Sequence, residues 1–126
     1  MTSSQQLVLR LVDDFPLLAP LMADHLADQG GELLPYLFLP DVARWAQDLL
    51  TDDPVTVGAV TDWLEREFVH AEAPEKDLIG LGFVEAIPYP PEGAALLLRL
   101  GPELTQVAGE LGLLPTELDS GADDPT

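Results

Sequence analysis

Proline and glycine cut this chain into short pieces. Twelve prolines and ten glycines are spread over 126 residues, and nearly every apolar segment is closed by one or the other. Proline lacks the amide proton that a continuing helix needs, and glycine readily takes the left-handed turn that ends one. Between these breaks the commonest residue is leucine, with 25 copies. Leucine and alanine favour helix, while the β-branched residues that favour strands are scarce. The pattern predicts an all-α fold: a single compact bundle of five to seven short helices over residues 1–114, followed by a flexible acidic tail over 115–126.

Apolar spacing places the helices. Val8, Leu11, Val12 and Phe15 recur at helical intervals in "QQLVLRLVDDF", with Ser3 or Ser4 as candidate cap and Pro16 as the stop. In "LLAPLMADHLADQGG" the stripe is Leu18, Leu21, Met22, His25 and Leu26, ended by Gly30–Gly31, with His25 expected at its solvent edge. "ELLPYLFLP" reads as a buried irregular or 3₁₀ segment, because one lone strand has no partner. Val42, Trp45, Ala46 and Leu49 mark a third helix, and Val57, Val60, Leu64 and Phe68 a fourth from about Thr56 to Glu72. A fifth spans 75–87, and two shorter ones follow the stiff "PYPPEG", broken at Gly101–Pro102. In the tail, Leu118 is the one large apolar side chain. Ordering backbone costs roughly 1–2 kcal/mol per residue, so the tail is expected to add no stability.

Charge excludes several functions. The chain has 23 acidic residues against five basic ones and a net charge of −18. Binding nucleic acid requires cations that displace phosphate counterions, and no basic patch can be assembled here. Anionic membrane surfaces are excluded on the same ground. No apolar run reaches the roughly 20 residues of a membrane span, and "MTSSQQLVLR" has no basic start or apolar core of a signal peptide. The expected setting is therefore the cytoplasm. With no cysteine, thiolate chemistry, disulfides and Cys-ligated metals are absent.

The motifs that suggest chemistry do not complete it. "LIGLGFVEA" sets Gly80 and Gly82 two apart, but a dinucleotide loop would need a third glycine where Glu85 stands, and a strand before it. The two glycines instead predict a helix pressed closely on a neighbour. "EFVH" puts Glu67 and His70 at the i, i+3 spacing of carboxylate di-iron bundles, yet His25 is the only other histidine and lacks a matching glutamate. The serines are Ser3, Ser4 and Ser120, near the ends, without a nucleophile elbow. Glu85, in an apolar stretch, is the one carboxylate singled out for burial. No catalytic residue, metal ligand or cofactor site is expected.

A partner-binding face has better support. The segment "DWLEREFVHAEAPEKD" gathers Asp62, Glu65 and Glu72 with few basic residues among them. Trp63, Trp45 and Tyr36 are candidate anchors, since aromatic side chains dominate many interfaces. Several stretches taken together, the early Phe15–Pro16, the "GELLP" of Gly31–Pro35, the Asp41-led helix and the Phe83–Glu85 "FxE", resemble a family of small bacterial all-helical domains of unknown function. The resemblance covers roughly residues 8–106 and departs at Tyr36, where the family pattern has histidine. It implies a helical fold without catalytic residues, similar in size and acidity to immunity proteins of bacterial toxin systems. The expected function is a non-enzymatic module that binds a basic protein partner, with immunity to a toxin as its most concrete form. The alternative is a small structural or housekeeping domain whose acidity serves solubility.

Overall fold

Thr2, not Ser3 or Ser4, begins the first helix. Its hydroxyl accepts the Gln5 N–H at 3.0 Å, and the Gln5 side-chain oxygen accepts the Thr2 N–H at 3.0 Å. This reciprocal pair satisfies two donors that a helix start leaves open, so both serines fall inside α1, Ser3–Asp14. The structure is a computed structural model and describes residues 1–114; the expected tail, 115–126, lies outside the described residues.

A tight 3₁₀ turn at Pro16–Leu18 leads into α2, Ala19–Asp28. Gly30 (φ +66°) and Gly31 (φ +87°) then reverse the chain. The Gly31 N–H donates to the Leu26 carbonyl at 2.7 Å, the closing bond of a left-handed helix cap.

The next element corrects the sequence reading. "PYLFLP" is not irregular but the first turns of α3, Pro35–Leu49, which runs through Pro40. An internal proline removes one helix bond and costs about 3 kcal/mol. Phe38 and Leu39, just before the proline, are fully buried with Val42, Ala43 and Ala46 beyond it. Burying each large apolar side chain contributes about 1.5–3 kcal/mol, enough to offset the proline.

Asp53 caps α4, Pro54–His70, accepting the Thr56 N–H at 3.2 Å and the Thr56 hydroxyl at 2.6 Å. These bonds, the hydroxyl's first, hold the Asp53 carboxyl below the usual aspartate range. A short α5, Ala73–Asp77, passes into a wider π-helical segment, Leu78–Val84, seen in the Glu85 N–H bond to the Gly80 carbonyl five residues back. Here the glycines act as expected. A methyl group on Gly82 would lie 3.2 Å from the Leu39 Cβ of α3, and one on Gly80 would lie 3.4 Å from Val107. They let the segment sit between α3 and the last helix. Glu85, singled out for burial, is exposed.

After the Pro88–Glu92 bend come α6, Ala94–Leu97, and α7, Pro102–Glu110, which carries Val107. The described residues form helices joined by turns and short irregular links, with no strand among them, and they share one hydrophobic core. No described helix is long and apolar enough to cross a membrane.

Candidate functional site: an acidic corner

Arg10 of α1 and Glu67 of α4 are 57 residues apart in sequence and meet at 2.6 Å. Their pairing anchors a hollow of about 200 Å³. Ser3 and Gln6 line it from α1, His70 closes the end of α4, and Glu72 and Glu75 complete the rim. Three glutamates and one arginine thus line the same hollow. Glu75 Oε1 is buried without a hydrogen-bond partner among the described residues. A carboxylate oxygen in that state accepts a donor with unusual advantage, because a desolvated acceptor left open costs about 1–3 kcal/mol.

Of the two "EFVH" residues, Glu67 serves an ion pair. Glu67 turns to Arg10, and among the described residues no three His, Asp or Glu side chains gather at metal-ligand distance. The second histidine departs from expectation. His25 is not at the solvent edge but 3% exposed, its Nε2 accepting the Leu34 N–H at 3.0 Å and its ring edge-on to Phe38. It joins α2 to the start of α3, an interior task that the surrounding "ADHLAD" disguised.

The six residues expected to bind a partner go to different places. Asp62 and Glu72 are exposed, as a charged face requires. Glu65 is not free: its two carboxylate oxygens accept the N–H groups of Glu103 and Leu104 at 2.9 and 3.0 Å. It caps α7 from another helix, where a side chain of α7 would ordinarily do so. Trp63 is 7% exposed, and its indole N–H donates to Asp14 at 2.6 Å. That commits it to the α1–α4 junction and removes it as a surface anchor. Trp45 is half-buried and Tyr36 exposed, both on α3 and neither lining the corner.

Sequence reasoning missed Arg10 and Gln6 at this site. No local signal could have found them, since the hollow forms only when α1 lies along the end of α4. Lys76 was visible as a neighbour, but its ammonium lies 5.2 Å from the Phe68 ring centre. Compared with known proteins, the chain matches no described protein family, no curated protein and no solved structure.

Proposed function

We propose that this chain is a non-enzymatic protein-binding module, working in the cytoplasm, whose acidic corner receives a basic side chain of a protein partner. The observation that carries the reading is Glu75 Oε1, a buried acceptor without a donor among the described residues, in one hollow with Glu67 and Glu72. A lysine ammonium or arginine guanidinium supplies donors and no acceptor, which is the chemistry missing there. The exposed Asp62 and Glu72 add the longer-range attraction that steers a basic protein to the corner. Neutralisation of a basic bacterial toxin is the most concrete form of this function, in keeping with the resemblance to small helical bacterial domains.

The test is association kinetics with a basic partner, first with the product of any adjoining toxin gene. The Debye length shrinks from about 8 Å at physiological salt to about 3 Å at 1 M. The on-rate should fall at least about tenfold over that range, as for other steered complexes. Changing Asp62 and Glu72 to their amides should lower it further at low salt. An on-rate indifferent to both salt and these changes would leave the acidity as a solubilising surface only.

A further inference from the structure

Residues 29–37 join α2 to α3 without one buried side chain among them. Two hydrogen bonds tie residues 33–37 to α1 and α2, and both are made by side chains. The Gln5 side-chain N–H donates to the Leu33 carbonyl at 3.1 Å, and the Leu34 N–H donates to His25 Nε2 at 3.0 Å. Beyond Leu34 the first turn of α3 is weakly joined to the rest of its helix, because Pro40 has no N–H to give the Tyr36 carbonyl. Burial resumes at Phe38, whose ring meets His25 edge-on, and His25 itself is 3% exposed. A segment with so few buried contacts depends on its clasps.

We propose that His25 makes this segment an acid-sensitive latch: its protonation releases the α2–α3 link and the first turn of α3. A ring nitrogen accepts a hydrogen bond only through a bare lone pair. The neutral ring therefore carries its proton on Nδ1, and a second proton goes to Nε2, where it meets the Leu34 N–H. The acceptor becomes a donor, and a buried imidazolium is left without a compensating charge. Asp24 and Asp28 stand near His25 on α2 and Glu32 lies in the link, all three exposed. From α3 come Tyr36, Asp41 and Arg44, the last two paired with each other. From α1 come Arg10, paired with Glu67, Asp13, and Asp14, which accepts the Trp63 indole N–H. The 3₁₀ turn at Pro16–Leu18 has no titratable side chain. None of these groups bonds or pairs with His25. An opened link lets the imidazolium reach water, so acid favours the open form. The Gln5 amide does not titrate and holds Leu33 throughout. What loosens is the turn that carries the exposed Tyr36 and Leu37.

Amide hydrogen exchange of the full chain from about pH 8 to about pH 5, the range in which histidine changes charge, tests the latch. The Leu37 and Phe38 amides bond to the Leu34 carbonyl, so they report the turn along with Leu34 itself. Protection at these three, corrected for the intrinsic exchange rate at each pH, should fall at least about tenfold toward acid, while α4 keeps its own. His25→Gln supplies a side-chain oxygen that accepts the same N–H and does not titrate, so its protection should be equal at both ends of the range. His70→Gln, at the exposed end of α4, should keep the loss. If His25→Gln fails to fold, the nitrogen NMR shifts of the unmodified protein decide. They should place the neutral-ring proton of His25 on Nδ1, and its titration should coincide with the loss at Leu34. Protection that does not change with pH, a loss that His25→Gln shares, or a neutral ring protonated on Nε2 overturns the proposal.

Discussion

Where α1 meets the end of α4, the Arg10 guanidinium answers one of three carboxylates, and Glu75 Oε1 has no donor among the described residues. Around Leu98, among the described residues, no carboxylate lines either of two further hollows, and the one charged side chain in the lining is Arg99. Solubility alone asks only for net charge and would be served by acids spread evenly, including around Leu98. This surface is partitioned. One region concentrates unanswered negative charge, while the lining around Leu98 is mostly apolar, a contrast that a uniform coat would not produce. Salt should act on them unequally. Binding of a basic partner at the corner weakens as salt rises and screens its carboxylates, while the lining around Leu98 offers only Arg99 to screen. Titrating the partner equilibrium over ionic strength checks this, and an affinity independent of salt would erase the distinction.

The largest expected effect breaks the Leu98 side alone. A methyl group on Gly93 would lie 1.9 Å from the Pro88 carbonyl oxygen and 2.9 Å from Ile87, in the bend that feeds α6. Backbone must move, so Gly93→Ala should cost about 2–4 kcal/mol in chemical denaturation. Folded protein should still show the corner's salt-sensitive on-rate. A loss under about 0.5 kcal/mol would mean that the bend tolerates other geometries.

Next in size is Glu65→Ala. It removes the acceptor for two α7 amides and should cost about 1–2 kcal/mol, as the loss of a helix cap does. Glu65→Gln should cost less, because one side-chain oxygen remains. Its on-rate effect should be no more than that of one charge. This separates a structural carboxylate from Asp62, only three residues away.

A smaller effect appears with pH. The Asp53 carboxyl is held below its ordinary range by Thr56, so its folded-state value is depressed. Its contribution is complete above the ordinary aspartate value and is lost as the pH falls through the folded value. Asp53→Asn should remove that part of the acid-side loss, seen as a flatter stability profile at acid pH; an unaltered profile would count against the cap.

The smallest effect on stability belongs to the corner. Glu72→Gln together with Glu75→Gln should leave the unfolding free energy within about 0.5 kcal/mol or raise it slightly, since like charges are being removed. The same change should slow binding of a basic partner severalfold at low salt. A large destabilisation would make these carboxylates structural, as Glu65 is.

Much of the fold was legible because helix ends are local events. Gly30–Gly31 and Pro16 are read within one turn of chain, α4 starts at Pro54, two residues before the expected Thr56, because Asp53 caps it, and the Gly80–Gly82 pair points to a close approach whose partners are Leu39 and Val107. The segment "PYLFLP" was misread because proline argues locally against helix, and only the burial of Phe38 and Leu39 against the rest of the chain outweighs it. The candidate site was legible in composition and not in membership. Acidity around 62–77 was plain, but which carboxylates stay free was not.

The sequence alone determined the helical class, the approximate breaks, the excess of negative charge and the lack of cysteine chemistry, because these rest on propensities and counts that act over a few residues. Tertiary structure alone decided the uses of individual side chains. Trp63 found Asp14 49 residues away, Glu65 found the start of α7 38 residues on, and Arg10 found Glu67 57 residues on. Each polar group takes whichever partner core packing brings within about 3 Å, and a hydrogen bond is too short in reach to be set by composition. Burial of the apolar stripes fixed which helix faces met, and those meetings assigned His25 to the interior, Glu65 to a cap and Glu75 to the corner.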